Sequence, residues 1–239
     1  MWPLLDFGWT RLGSYGLMVS LGYFIGAAFI WRHLWDMRGT RKKFWQLGYM
    51  ILFGAFVGGK LGYVLVEWEA FRAEPWLLVT TWRSGWVFWG GLLGTFLMGL
   101  LYREIHNRFH RPRAMLPVAD YWAPALALGH AVGRLGCLMR GCCYGKPTTL
   151  PWGVRFTHPG CEVPEELMGV PLHPVQFYEA AWEGVLALSL IFWVLPRIRA
   201  KKFTYGTSFL LYVAGYAVMR FFLEFLRADD RGSFLWPVL

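Results

Sequence analysis

Charged side chains within apolar stretches of this sequence have the types and spacing to bind an anionic group. Arg134 stands beside glycines in GHAVGRLGCLMRGCCYG (129–145), and Arg220 stands in YAVMRFFLEFLR (216–227). An ionisable side chain in the hydrocarbon region of a membrane costs at least ~2.5 kcal/mol, so it faces a partner or a cavity. A guanidinium donates two parallel hydrogen bonds to a phosphate and remains charged. The two arginines therefore predict a phosphate-binding site, for which a phospholipid head group is a suitable ligand.

The residues around Arg220 share one side of a predicted helix. Tyr216, Arg220 and Glu224 are spaced at i, i+4 and i+8, which places their side chains on one helical face. This spacing favours a cavity lining that contains both charges. The alternative is a purely structural ion pair between Arg220 and Glu224, which the same spacing permits.

A second polar face opens another apolar stretch. His173, Gln176 and Glu179 are spaced at i, i+3 and i+6, again within one helical face. Together with the arginines they predict a lining that contains both cations and carboxylates. The alternative for His173 is a helix-opening residue, since it directly precedes Pro174.

Further polar and small residues accompany the charged ones. Lys60 and Tyr15 lie at a similar depth in two other apolar stretches. Gly133 and the pair Gly90-Gly91 permit close helix approach and give a ligand access to the backbone. Cations and carboxylates that converge on one membrane leaflet indicate a binding site more than a set of unrelated structural contacts.

The elements that position these groups are predicted to be transmembrane helices. Of the 239 residues, 56% are hydrophobic and 16% are charged, whereas soluble domains contain about 25% charged residues. A helix needs roughly 20 apolar residues to cross a bilayer. We therefore predict an all-α, polytopic integral membrane protein. Its six predicted spans are residues 14–31, 44–66, 85–102, 115–139, 173–195 and 203–226.

Basic loops determine the predicted orientation. Arginines and lysines concentrate in 32–43, 102–113 and 196–202, and such loops remain in the cytoplasm. The loop 140–172 is then extracytoplasmic, and the site opens toward that side. These loops explain the formal charge of +9, so no nucleic-acid partner is expected. We predict that residues 1–239 form a single membrane domain, with membrane lipids as its surroundings.

The two ends of the chain contain weaker signals. The N-terminus MWPLLDFGWTRLGSYG lacks a basic region followed by an apolar core, so no cleavable signal peptide is predicted. Residues 234–239 become apolar again. That change fits the beginning of a seventh transmembrane helix, and it fits an interfacial tail equally well.

Motifs along nearly the whole chain resemble those of the prolipoprotein diacylglyceryl transferase family. Each motif alone is weak, whereas all of them in the family's order form a specific signal. They are SYGLMVSLGY (14–23), GGKLGYVL (58–65), GWVFWGGLLG (85–94), ADYWAP (119–124), GRLGCLMRGCCYG (133–145), HPVQFYE (173–179) and YAVMRFFLEFLR (216–227).

The resemblance implies an enzyme of the bacterial inner membrane. Such an enzyme transfers the diacylglyceryl group of phosphatidylglycerol to the lipobox cysteine thiol of a preprolipoprotein and releases glycerol 1-phosphate, with no metal or cofactor expected. Arg134 and Arg220 match the two essential arginines, which hold the lipid phosphate and stabilise its charge as it leaves. The matching supporting carboxylates and cavity tyrosines are Glu179, Glu224, Tyr15 and Tyr216.

The glycine-rich motif departs from the family pattern GRxGNFxNxE. Cys137 and Arg140 replace its two asparagines, and Cys142 replaces its glutamate. Membership in the family does not depend on these positions, whereas the identity of the acceptor that the enzyme modifies does. A paralogue with the same lipid-phosphate site and a different acceptor is therefore the alternative among enzymes.

The base that removes the proton of the acceptor thiol is not identified by the resemblance. Trp89 stands where many members have histidine or tyrosine, and an indole accepts no proton. His130, one helical turn before Arg134, and His173 are the candidate catalytic bases. A phosphate oxygen of the substrate or a water molecule is the alternative.

The four cysteines lie in or beside the predicted outer loop. Because extracytoplasmic loops are oxidising surroundings, we expect a disulfide from Cys142 or Cys143 to Cys161. A zinc site that includes His158 is a weaker hypothesis, since adjacent cysteines are an unusual ligand spacing. A catalytic cysteine is weaker still.

A non-enzymatic phospholipid-binding or transport protein is the alternative outside the enzymes. Transporters often contain internal repeats and helices broken at the membrane midplane. This sequence contains no internal repeat, and its charges cluster at one leaflet. A thiol redox protein would require a pair such as CxxC, which is absent.

Overall fold

A computed structural model of the chain describes residues 4–6, 11–37, 40–80, 87–109 and 115–229, most of which are helical. The chain groups into two compact units. The first contains residues up to His33 and from Met115 onward, and the second contains Leu34–Ala114.

Each of the six predicted spans contains a helix, and the helices begin and end close to the predicted bounds. Within the described residues, three helical segments are long and apolar enough to cross a membrane: Ser14–Arg32, Arg41–Val66 and Val175–Arg199. Six crossings therefore stay a prediction, and the apolar 234–239 segment lies outside the described residues. The helices are α1 (Ser14–Arg32), α2 (Arg41–Val66), α3 (Trp68–Ala73), α4 (Leu77–Thr80), α5 (Phe88–Phe109), α6 (Leu116–Arg140), α7 (Val175–Ser189), α8 (Leu195–Arg199) and α9 (Thr207–Glu224).

Helix α6 is the centre of the first unit, where it packs against α1, α7 and α9. Glycines permit its close approach to α1. A Cβ added at Gly22 would lie 2.5 Å from the carbonyl oxygen of Gly129. Residues Leu190–Val194 form a π-helical turn that joins α7 to α8.

The start of α9 is fixed by a side chain of α6. The buried carboxylate of Asp120 accepts hydrogen bonds from the backbone N–H groups of Gly206 (2.7 Å), Ser208 (2.9 Å) and Phe209 (3.3 Å). These donors belong to the first turn of a helix and have no partner within the helix itself. Asp120 therefore determines where α9 begins relative to α6.

The segment between α6 and α7 has its own hydrophobic core. Gly141, at φ 76°, ends α6 in the left-handed conformation that glycine adopts without strain. Beyond it, a buried cluster contains Tyr144, Phe156, Cys161, Val163 and Leu172. Two short strands of this segment, β3 (Val154–Arg155) and β4 (Pro171–Leu172), form an antiparallel pair. A separate antiparallel pair near the N-terminus consists of β1 (Leu4–Asp6) and β2 (Arg11–Gly13). The predicted outer loop is therefore an ordered cap.

The second unit consists mainly of α2 packed against α5. Its contact is made of glycines, as predicted for Gly90: a Cβ added at Gly90 would overlap the carbonyl of Gly58. A Cβ at Gly91 would lie 3.2 Å from the carbonyl oxygen of Ala55. Small residues thus bring the two backbones together, as is common between membrane helices.

Candidate functional site

Arg134 lies in a network of buried charged groups between α6 and α7. Its Nη2 is 2.9 Å from Oε1 of Glu179, whose side chain is 0% exposed. Its Nε donates a hydrogen bond of 3.1 Å to Nε2 of His130, one turn earlier on α6. Beside it, a Cβ added at Gly133 would meet no atom within 4 Å. The guanidinium is therefore held by two partners.

The tautomer of His130 follows from its partners. Because the Nε–H of Arg134 can only donate, Nε2 of His130 accepts, and the ring proton lies on Nδ1. That nitrogen is 3.3 Å from Oε1 of Glu183, to which it donates. Both ring nitrogens of His130 are thus engaged, and the ring connects Glu183 to Arg134.

Glu183 is a member of this network that was missed in the sequence. It lies one turn after Glu179 on α7, and its side chain is 0% exposed. Its second oxygen, Oε2, has no hydrogen-bond partner among the described residues. The signal was available: continuing the polar series from Glu179 by four residues, on the same helical face, arrives at Glu183.

The predicted face of α9 contains an ion pair and a tyrosine that links it to α6. Nη2 of Arg220 is 3.2 Å from Oε2 of Glu224, and the Glu224 side chain is 55% exposed. The ring of Tyr216 lies 5.5 Å from that of His130. Tyr216 therefore links this face of α9 to the Arg134 network on α6 through His130.

Three thiols lie together where α6 ends. The Sγ atoms of Cys137, Cys142 and Cys143, here called the thiol cluster, are all within 4.8 Å of one another. Hydrogen bonds with Cys137 and Cys142 lower the pKa of Cys143, and the guanidiniums of Arg134 and Arg227 act in the same direction. This cluster could not be predicted from the sequence, because Cys137 lies inside a helix and the other two cysteines lie beyond its end.

Tyr15, at the start of α1, borders the thiol cluster. A Cβ added at Gly136, the residue before Cys137, would lie 3.3 Å from the Cα of Tyr15. The guanidinium of Arg140 lies 5.6 Å from the centre of its ring, and Nε of Arg140 donates a 2.8 Å hydrogen bond to Glu162. The structure thus places Tyr15 beside the end of α6 that contains the thiol cluster.

Two buried side chains hold the turn that contains the thiol cluster. Nε2 of Gln176 donates a 2.8 Å hydrogen bond to the carbonyl oxygen of Cys142. Arg227 forms a bidentate pair with Asp229, at 2.8 and 2.6 Å, and its backbone is bridged to Gly145. Gln176 was predicted to line the site; in the structure its side chain supports the backbone at Cys142, and substrate binding by Gln176 stays a prediction.

The predicted disulfide is not present in the structure. All four cysteines have free thiols, and Cys142 and Cys143 approach Cys137 instead of Cys161. Cys161 is buried in the core of the cap, where burial raises its pKa. The expectation of a disulfide was therefore wrong for this conformation, because hydrophobic packing holds the cap in place. His158 is engaged locally, accepting a 3.0 Å hydrogen bond from the backbone of Gly160.

His173 has partners of its own. Its Nδ1 is 3.4 Å from the hydroxyl of Tyr178, which accepts a 2.8 Å hydrogen bond from Trp152. Its backbone N–H donates to the carbonyl of Lys146 at 3.0 Å. The structure thus places His173 where α7 meets the cap, and its role as a base stays a prediction.

The remaining predicted residues belong to the second unit. Lys60 is buried on α2, with its Nζ 5.3 Å from the centre of the Tyr63 ring. Trp89 on α5 is 72% exposed. Substrate binding by Lys60, Gly90 and Gly91 stays a prediction.

The fold and this site define a class: a helical membrane protein in which an arginine within an apolar helix is held by a buried carboxylate and a histidine. Residues 3–238 match the model of the family described as prolipoprotein diacylglyceryl transferase, and the chain belongs to that family.

Relatives with similar sequences extend over most of the chain. Phosphatidylglycerol–prolipoprotein diacylglyceryl transferase 2 of Clostridium perfringens (strain 13 / Type A) is 33% identical over 227 residues, which cover 93% of this chain and 82% of that protein. The phosphatidylglycerol–prolipoprotein diacylglyceryl transferase of Coxiella burnetii (strain RSA 331 / Henzerling II) is 35% identical, covering 96% and 84%. The protein of the same name from Geobacter sulfurreducens is 35% identical over 238 residues, which cover 95% of this chain and 84% of that protein.

Proposed function

We propose that this chain transfers the diacylglyceryl group of phosphatidylglycerol to the cysteine thiol of a preprolipoprotein lipobox and releases glycerol 1-phosphate. The observation that supports this most strongly is the environment of Arg134. A guanidinium is held within an apolar helix by the buried carboxylate of Glu179 and by His130, in a chain whose relatives are named for this reaction.

The role of Arg134 follows from the bond that breaks. The acceptor sulfur attacks the glyceryl carbon that bears the phosphate, the carbon–oxygen bond breaks, and the phosphate leaves with the electron pair. Negative charge therefore grows on the leaving phosphate. A cation already held in position stabilises that charge without reorganising during the reaction. Glu179 and His130 keep Arg134 in that position.

Arg220 is the second phosphate-binding cation in this proposal. Tyr216 lies one turn before Arg220 on α9, and its ring contact with His130, the partner of Arg134, supports a shared lipid site between α6 and α9. Glu224 orients Arg220 from a more exposed position. Tyr15 and Tyr216 line the same site.

His130 acts as a positioning residue in this proposal. Its Nε2 lone pair accepts from Arg134, and its Nδ1 proton is donated to Glu183. A base needs a free lone pair directed at the proton that it removes. The acceptor thiol therefore loses its proton to another group.

The chain is a membrane protein, and we place it in the bacterial inner membrane with six crossings. The site then opens to the extracytoplasmic side, and the cap at 140–172 lies outside. The basic segments 32–43, 102–113 and 196–202 support this orientation.

The reaction is tested with purified protein in detergent, a lipobox peptide and phosphatidylglycerol labelled either in the acyl chains or in the head-group glycerol. We expect the peptide to gain the acyl label alone and the head-group label to appear as glycerol phosphate. A peptide that gains both labels, or neither, contradicts the proposed reaction. Lipid binding without any modified peptide would instead support the non-enzymatic alternative.

A further inference from the structure

The backbone at the thiol cluster adopts a conformation that is unfavourable for one of its cysteines. Cys143 has φ 59°, in the left-handed region, which is a strained conformation for a residue other than glycine. Gly141, two residues earlier, makes its own left-handed turn without that cost. The second turn is strained, and it is the one that brings the Cys143 thiol to those of Cys137 and Cys142.

The dimensions of the cluster suit a thiophilic metal ion. A Zn²⁺–thiolate bond of ~2.3 Å places tetrahedral thiolate ligands roughly 3.8 Å apart. The three Sγ atoms already lie within 4.8 Å of one another. Binding therefore requires the thiols to close by only about 1 Å, a shift within the reach of side-chain rotation.

The surrounding charge balances such a site. Three thiolates and one Zn²⁺ have a net charge of −1. Arg134 lies one turn before Cys137 on α6, and the backbone of Arg227 is bridged to Gly145, two residues after Cys143. Two cations that would repel a bare metal ion stabilise an anionic tris-thiolate complex, since opposite charges a few ångströms apart attract strongly in partly buried surroundings.

The cluster also has room for a fourth ligand. Among the described residues, no further histidine, cysteine or carboxylate joins the group. Cys161 lies in the cap core, and Cys142 and Cys143 are both partly exposed. Zinc sites with three protein ligands and one open position are typical of catalysis.

We propose that Cys137, Cys142 and Cys143 bind a zinc ion whose fourth position takes the acceptor cysteine of the protein substrate. This inference rests on the proposed transfer reaction, for which it supplies the missing activation of the thiol. It departs from the metal-free expectation for the family, because two of the three ligands stand where the family pattern has asparagine and glutamate.

The metal replaces the base. A thiol that coordinates Zn²⁺ is deprotonated outright, and its proton passes to solvent. The bound sulfur then forms its bond to the glyceryl carbon while the carbon–oxygen bond breaks and the phosphate leaves with the electron pair. The thioether product is neutral and binds zinc weakly, so it dissociates and the position reopens.

Metal content tests the site without reference to activity. We expect about one zinc per chain in protein purified without chelators. Since even a residue that only supports a ligand changes metal affinity by roughly 10–100-fold, Cys137→Ser and Cys143→Ser should raise the Kd for zinc by at least about tenfold. Cys161→Ser, which alters the one cysteine outside the cluster, should keep the wild-type zinc content.

Titration of the metal-free wild-type chain with Co²⁺ requires no variant to fold. We expect thiolate-to-cobalt charge-transfer absorption that saturates at a single equivalent and is reversed by Zn²⁺. No such absorption, no zinc in the purified chain, equal zinc in Cys143→Ser, or a disulfide within the cluster overturns the site.

The role of the metal is separated from the reaction by measuring peptide modification with and without zinc. We expect removal of zinc to abolish transfer and its return to restore it. Full transfer by the metal-free chain overturns the activating role, while leaving the proposed reaction in place. A zinc-loaded chain that never modifies the peptide contradicts the proposed reaction, and the metal site stands on its binding data.

Discussion

Nη2 of Arg134 lies 2.9 Å from Oε1 of Glu179, and this carboxylate is completely buried. The pair joins α6 to α7. Burial makes the pair sensitive to the loss of either partner, because the remaining charge would be left without compensation in the interior. The pair on α9, Arg220 and Glu224, differs in this respect, since its carboxylate is 55% exposed.

This difference predicts unequal effects of two glutamate substitutions. Glu179→Ala leaves Arg134 unpaired and should lower the free energy of unfolding by about 3–5 kcal/mol. Glu224→Ala removes an exposed i, i+4 pair, worth only about 0.3–0.5 kcal/mol. Thermal unfolding of both variants in the same detergent compares them. Equal losses of stability would contradict the buried network.

His130 is expected to act through Arg134. His130→Ala removes the acceptor of the Arg134 Nε–H, so kcat should fall while KM for the peptide changes little. His130→Gln retains an acceptor and should recover part of the rate. The pH profile of kcat should keep its shape in both variants. Loss of one limb of that profile would show instead that His130 is the base.

The contact between α1 and α6 predicts a pair of glycine substitutions with opposite outcomes. Gly22→Ala places a Cβ 2.5 Å from the carbonyl oxygen of Gly129 and should cost about 1–3 kcal/mol through overpacking. Gly16→Ala, in the same helix, meets nothing within 4 Å and should be neutral or gain up to about 1 kcal/mol of helix propensity. Unfolding in detergent measures both. A stable Gly22→Ala chain would contradict the close approach.

The helices and part of the site could be predicted from the sequence. A helical period places Tyr216, Arg220 and Glu224 on one face whatever the packing. For Arg134 the sequence predicts that a partner exists, because a charge inside an apolar helix requires one, but it does not predict which residue. The structure identifies Glu179 as a partner. Glu183 followed the same period and was missed because the polar series was ended too early.

The cysteines show where sequence reasoning stops. The oxidising surroundings of an extracytoplasmic loop favoured a disulfide to Cys161. Which cysteines come close together, however, depends on where the backbone turns. The left-handed residues Gly141 and Cys143 direct the chain back toward Cys137. Cys161 meanwhile packs into the cap with Phe156. Neither turn has a sequence signature strong enough to exclude the other arrangement.

The most direct test of the central claim is the rate of diacylglyceryl transfer to a lipobox peptide by Arg134→Gln. The matched control is Arg197→Gln, because Arg197 is engaged with Trp193 at the end of the fifth predicted span. With folding checked in detergent, we predict that Arg134→Gln lowers kcat by about 10²–10³-fold, the usual effect of removing one preorganised donor, and that Arg197→Gln transfers at the wild-type rate. A folded Arg134→Gln chain that transfers as fast as the control would contradict the account.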